Sequence, residues 1–428
     1  MFRWILGGRE AQSSVEKSPV LCIGEEQPKN WFTELQVLKG HFDIVRFLVQ
    51  IDDFRCASAG DDGLILVWNI ETGERLQELR GHSQQITAMT TFSCSDGLVS
   101  HPSLISASSD RSVSLWDPDT GNRVQTISDL QSSVKCLLVL ERLCLWVSGG
   151  EELCLWNRDF QLQCQKQSHS DTGITALIEL PKNCMAAAMD KEIIAPDSSL
   201  TVAELRCLSD HQDQVRALIN VSDGLFASGS HAGELILWDA IDWNILAYEH
   251  ILWEESQSPA QAEIRLGAPK PSEMSIQQLS TNGKLILAAV GSGLYVYSVL
   301  TKTVVAYRKV AHDSNVLHTM LLSDSEVMSC SEDGSVRMWE IQDLPLPPVS
   351  QDSGPPKKIM DVPNIRTLEL TGDLIGHSGA VQMFVSFKEN GLVTCSADHL
   401  LILWKNGERQ SHRRSLALFK KLEENGGL

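Results

Sequence analysis

No run of apolar residues in this chain approaches the roughly 18 that a membrane-spanning helix needs. The apolar stretch in MFRWILGGRE is too brief for a secretory leader. Positive charge is scarce: 36 Lys and Arg face 55 Asp and Glu, for a net charge of −19. A nucleic-acid or anionic-membrane binder should carry a basic face, so neither nucleic acid nor direct membrane insertion is expected. The one local basic cluster, Arg409, Arg413, Arg414, Lys420 and Lys421, is interleaved with Glu408, Glu423 and Glu424 and reads as a solvated helix face. Cysteine never occurs as Cys-x-x-Cys, and His and Cys never cluster at metal spacing, which argues against zinc. GxxxxGK[ST], GxSxG and HExxH are all absent. No catalytic, cofactor-binding or metal-ligating residue is therefore expected. The 11 cysteines are odd in number, and Cys56, Cys136, Cys154, Cys330 and Cys395 fall on expected strands. Buried free thiols in a reducing, cytoplasmic setting account for them better than disulfides.

What the chain does contain is one pattern written five times. The segments are SAGDDGLILVW (58–68), SASSDRSVSLW (106–116), SGSHAGELILW (228–238), SCSEDGSVRMW (329–339) and TCSADHLLILW (394–404). Each opens with Ser or Thr and ends in Trp ten residues later, and four of them place Asp six residues before the Trp. In those four a Gly-His or Ala-His pair lies upstream. The sets are His41, Ser58, Asp62 and Trp68; His82, Ser106, Asp110 and Trp116; His312, Ser329, Asp333 and Trp339; and His377, Thr394, Asp398 and Trp404. Repeats of roughly 40 residues signal an all-β propeller with four short strands per blade. These residues resemble the WD-repeat family. That resemblance implies that each set is a hydrogen-bond chain running from Trp through the hydroxyl and His to Asp. A Ser-His-Asp hydrolase is the rival reading, since the residue types match. Repetition argues against it, because a catalytic triad is needed once.

Trp68, Trp116, Trp156, Trp238, Trp339 and Trp404 each end the third strand of a blade. Two gaps leave room for one further repeat each. One is ITALIEL (174–180) with CMAAAMDKEII (184–194), and the other is KLILAAVGSGLYVYS (284–298), with Tyr297 in place of Trp. The expectation is eight blades, with seven as the alternative. Blade three lacks an upstream Gly-His. Blade four should be cut short at Pro196, because proline cannot donate to a ladder. Blade five has Asp210-His211 but Ala232 where Asp is expected, so its tetrad should be lost. The segment TELQVL (33–38) should close the ring by pairing beside residues 400–404, which protects both sheet edges. The expected domains are a flexible segment 1–30, a propeller 31–404 and an extension 405–428. A proline-rich surface loop, 342–366, interrupts blade seven. In the extension, RRSLALFKKLEE (413–424) reads as a short helix with Leu416, Phe419 and Leu422 on one face, a candidate partner-binding surface.

Longer runs sharpen the resemblance to one scaffold branch of the WD-repeat family: 41–63, 170–184, 229–243, 311–340 and 391–409. That branch implies a non-catalytic subunit with two longin/DENN-domain proteins as partners. It also implies regulation of small GTPases, autophagy and lysosomal amino-acid responses, and recruitment to lysosomes through a membrane transporter. Two departures stand out. Blade four is shortened near 192–202, and the loop 342–366 contains no Phe, Trp or Tyr, so an aromatic anchor for lysosomal docking is lacking there. The alternative function is substrate receptor of a cullin-RING ubiquitin ligase. Such receptors often carry Trp-Asp-x-Arg, whereas here Trp116 precedes Asp117-Pro118-Asp119 and Trp238 precedes Asp239-Ala240-Ile241.

Overall fold

Small residues crowd the second strand of most repeats, and this sets the architecture. Ala57, Ser58 and Ala59, then Ala186, Ala187 and Ala188, then Ala288 and Ala289 are all 0% exposed. Such strands are covered on both faces, and small side chains let neighbouring sheets approach closely. The third strands, such as Ile65–Asn69 and Glu234–Asp239, are almost wholly buried as well. The fourth strands, such as Arg123–Ile127 and Leu162–Gln167, are mostly exposed. The gradient from buried to exposed runs outward along each blade.

The computed structural model describes residues 30, 32–93, 102–167, 172–181, 184–196, 205–222, 224–251, 274–342, 366–412 and 415–416. Among these, 32 strands form eight antiparallel blades. Seven run 45–79, 86–127, 136–167, 174–208, 215–250, 276–308 and 316–375. The eighth takes three strands from 381–405 and its fourth from Glu34–Leu38. The innermost strand of every blade packs against those of both neighbours, which closes the ring. Eight blades are therefore present, and seven is excluded.

Closure uses both ends of the chain. Glu34–Leu38 pairs antiparallel with Leu401–Lys405, from Glu34 opposite Lys405 to Leu38 opposite Leu401. The Thr33 N–H donates to the Lys405 carbonyl at 3.1 Å, and the Gly407 N–H to Thr33 Oγ1 at 3.0 Å. Lys405 Nζ reaches the Glu71 carbonyl of blade one at 2.6 Å. An outer-strand glutamine also clasps the next blade three times in succession. Gln36 donates to the Thr72 carbonyl, Gln77 to that of Asp119 and Gln125 to that of Asp159, at 3.1, 2.8 and 2.9 Å.

Several local features differ from expectation. Blade four is complete: Glu192–Pro196 pairs with Leu205–Leu208, and Pro196 sits at the strand end, where its missing N–H costs no ladder bond. Gln342 and Arg366 belong to strands, so the interruption of blade seven narrows to 343–365, outside the described residues. The strand Arg366–Ile375 also pairs in parallel with the outer strand of blade six, Ala306 opposite Arg366 and Tyr307 opposite Thr367. Blades six and seven thus share one eight-stranded sheet. Arg308 fastens this junction, donating to the Leu368 carbonyl at 3.0 Å with its guanidinium 5.2 Å from the Trp339 ring centroid. The C-terminal helix begins earlier than the apolar spacing suggested, at 407, because the Asn406 side chain accepts the Arg409 N–H and caps it. Among the described residues eight cysteines are free thiols. Cys144 is disulfide-bonded, so the expectation of free thiols does not hold there; it lies on the hairpin turn of blade three rather than on a strand.

Candidate functional site

Four tetrads repeat one geometry. In blade one the Trp68 indole donates to Ser58 Oγ at 2.8 Å, His41 Nε2 lies 2.8 Å from that hydroxyl, and His41 Nδ1 lies 2.8 Å from Asp62 Oδ2. Blade two repeats it with Trp116 to Ser106 at 2.8 Å, Ser106 to His82 at 2.8 Å and His82 to Asp110 at 3.2 Å. Blade seven places Trp339, Ser329, His312 and Asp333 at 2.8, 2.7 and 3.0 Å. Blade eight places Trp404, Thr394, His377 and Asp398 at 3.0, 2.7 and 3.0 Å. An indole can only donate, so in every chain the hydroxyl accepts from Trp and also meets Nε2 of the His. The imidazole turns its Nδ1 toward the carboxylate.

The local sequence builds each tetrad. A Cβ at Gly40, Gly81 or Gly376 would lie within 3.3 Å of the Trp ring edge. Those three blades place Gly before the His, while blade seven uses Ala311 and blade five Asp210. The pairing of third and fourth strands slips by one residue at Trp68, Trp116, Trp156, Trp238 and Trp339, and at Tyr297 in blade six. A bulge of this kind can re-aim a side chain, although Trp404 reaches its hydroxyl at 3.0 Å without one. Each Asp also accepts the N–H after its His: Phe42, Ser83, Asp313 and Ser378, at 2.9 to 3.1 Å.

Burial pushes the tetrad carboxyls up, but hydrogen bonds from His, hydroxyl and backbone outweigh it. The pKa values of Asp62, Asp110, Asp333 and Asp398 are all lowered. Burial lowers the pKa of His82 and His377, against the pull of their carboxylates. Each chain thus sets an imidazole beside a carboxylate whose pKa is lowered, with its hydroxyl capped by an indole and buried. Ser58, Ser106, Ser329 and Thr394 are 0% exposed. A nucleophile needs access to substrate, and these have none.

Blade five holds a fifth tetrad that counting residues missed. Trp238 donates to Ser228 Oγ at 2.8 Å, and His211 Nε2 lies 2.6 Å from the same oxygen. The carboxylate is Glu234, with Oε2 3.3 Å from His211 Nδ1. It stands two residues past Ala232, and its extra methylene lets it reach back from the strand start. Ser230 Oγ donates to it at 2.8 Å, the Gln212 N–H at 3.0 Å and the Tyr248 hydroxyl at 2.6 Å. Burial raises the Glu234 pKa, but these donors outweigh it and leave it lowered. Blade three keeps only half a chain, Trp156 to Ser148 at 2.9 Å, and compensates by stacking Trp146 on Trp156 with centroids 5.2 Å apart. Tyr297 fills the Trp position of blade six with its hydroxyl buried and unbonded. Asp119, standing where ligase receptors often carry arginine, accepts instead from Arg55 of blade one.

The joined ends form the other candidate site. Arg409 of the helix at 407–412 pairs with Glu389 of blade eight. Leu416 is 56% exposed; Phe419 and Leu422 lie outside the described residues. Beside this helix a pocket of about 470 Å³ opens between blades seven and eight, lined by Phe32, Leu322, Met328, Met338 and the Glu389–Arg409 pair. Among the described residues, no group of three or more His, Cys, Asp or Glu could hold a metal ion. No helix there is long and apolar enough to cross a membrane.

A closed eight-bladed ring with these tetrads is a WD-repeat β-propeller. Within that class, the model of the WDR41 β-propeller family matches residues 1–414, and the chain belongs to that family. It is 53% identical over 456 aligned residues to WD repeat-containing protein 41 of Homo sapiens, covering 100% of this chain and 99% of that one. It is 50% identical to the Mus musculus protein of the same name, with the same coverage. Among solved structures, Sqt1 of Saccharomyces cerevisiae superposes with a TM-score of 0.66 at 12% identity, over 86% of this chain and 97% of that one. The computationally designed Ika8 protein gives 0.63 at 21% identity, over 86% and 98%. These two show the fold alone. The full-length relationship makes the chain a WD-repeat protein of the scaffold or adaptor kind, in a family that is generally non-catalytic.

Proposed function

We propose that this chain is a non-catalytic scaffold subunit that binds two longin/DENN-domain proteins, in an assembly that regulates small GTPases, autophagy and lysosomal amino-acid responses. The observation that carries the reading is the closing blade. The first strand, Glu34–Leu38, and the helix that starts at 407 meet there, and Leu416 is exposed. A closed propeller otherwise presents only turns and outer strands, so an exposed apolar element at its seam is a natural anchor for a partner. The family relationship supports the same reading. The complex would act at the cytoplasmic surface of lysosomes, reached through a membrane transporter. Affinity purification of the tagged chain from cell lysate, with mass spectrometry of stoichiometric partners, tests this. A DENN-domain pair is expected, and its absence from a stoichiometric assembly overturns the reading.

A further inference from the structure

The chain has four tyrosines, and three are shielded. Tyr295 and Tyr297 are 6% and 1% exposed, and Tyr307 is half-buried. Tyr248 is 47% exposed, on the outermost strand of blade five, Ile245–His250. That strand pairs only with Glu234–Asp239 on its inner side. At its far end the Ile251 N–H donates to the Gly233 carbonyl at 3.2 Å; residues 252–273, before blade six, lie outside the described residues. Yet the Tyr248 hydroxyl donates at 2.6 Å to Glu234, which is 1% exposed and supplies the anion of the blade-five tetrad. One accessible ring therefore touches an internal network from outside.

We propose that Tyr248 is a phosphorylation site for a protein tyrosine kinase, and that its modification uncouples the tetrad of blade five. The phenolic oxygen attacks the γ-phosphorus of a nucleoside triphosphate, its proton passes to the base of the kinase, and the nucleoside diphosphate leaves. The donor to Glu234 is lost and a group of charge near −2 is gained beside a buried carboxylate. Like charges so close repel, and the exposed outer strand that carries Tyr248 is the element the repulsion pushes away from the blade. Glu234 then keeps His211, Ser230 and the Gln212 N–H but loses its shield from solvent. Blades one, two, seven and eight contain no equivalent contact, because their Asp residues receive no bond from an outer-strand tyrosine.

The test treats the full chain with the catalytic domain of a protein tyrosine kinase and Mg-ATP, beside a synthetic peptide of residues 240–251. Peptide mapping should place phosphate on Tyr248 and leave Tyr295, Tyr297 and Tyr307 unmodified. Amide exchange across 225–250 should then accelerate on the order of tenfold, with other blades unchanged, and Tm should fall by about 3 °C. Tyr248→Phe, which removes the donor without adding charge, should resist modification and melt closer to the unmodified chain. Phosphate that appears on the peptide but not on the folded chain overturns the proposal. So does failure to modify either, or a modified Tyr248 that leaves exchange in blade five unaltered.

Discussion

Asp333 holds one end of a chain of four buried groups, and removing it leaves His312 Nδ1 without its carboxylate. Asp333→Ala should cost about 1–3 kcal/mol and lower Tm, measured by calorimetry on the purified chain. Glu234→Ala should do the same in blade five, although pattern matching assigns Glu234 no role. An unchanged Tm in both would reject the structural reading of the tetrads. Acid should act on the same groups. The tetrad carboxylates have folded pKa values below their unfolded ones, so their contribution is complete above the unfolded value and is lost as pH falls through the folded value. His82, His211 and His377 are also lowered. The unfolded chain takes up their protons first, so stability declines once pH drops below about 6.5. Burial lowers His318 to about 4; its ring lies edge-on to Phe384 at 4.7 Å and its Nδ1 has no hydrogen-bond partner, so the decline continues to that pH. A melting profile from pH 7.5 to 4 should fall steadily, and His318→Leu should flatten its acid limb; a flat wild-type profile contradicts this. The four Asp tetrads were legible because Trp, hydroxyl and Asp keep fixed spacing on a hairpin whose turn never changes length. Glu234 was hidden because a longer side chain reaches the same point from a different residue, which spacing cannot register.

Closure belongs to the scale of the strand. Glu34–Leu38 contributes no residue to any tetrad, yet it covers the open edge of the last blade. Deleting residues 1–38 should expose that edge and promote aggregation, while deleting 1–30 should leave Tm nearly unchanged. Light scattering and thermal melts of the two truncations, made side by side, decide it, and equal stability rejects this role for the strand. The alternation in TELQVL and the absence of a fourth strand after Trp404 made this element readable. Tyr297 was readable as a Trp substitute, and the strand slip it shares with five tryptophans gives the physical reason. The parallel junction of blades six and seven was not readable, because two paired residues leave no periodic trace. Nor were the glutamine clasps, where Gln36, Gln77 and Gln125 act through carbonyls of a different repeat. The helix register was missed because apolar spacing over 413–424 located a face, whereas the cap at Asn406 sets the start.

At the scale of the whole molecule, eight blades make a ring with strong internal repetition and a single seam. The repeated chemistry is turned inward, and what is not repeated is the closing strand, the helix after it and the pocket beside them, where we propose the partner binds. Fold class was legible from repeats alone, because each tetrad names a blade. The candidate partner surface left a weaker mark: apolar spacing over 413–424 singled out Leu416, which is exposed, but spacing names no partner. The central claim is that this seam binds the DENN-domain pair. The measurement is a pull-down of that pair with Leu416→Asp/Phe419→Asp, accompanied by a thermal melt of the variant alone. An apolar anchor in a desolvated pocket is often worth about 2 kcal/mol or more, so losing two, about 4 kcal/mol together, should weaken binding by a factor on the order of 10³. Lost binding with an unchanged melt is the predicted result; retained binding, or a collapsed melt showing that these residues hold the ring itself, would contradict it.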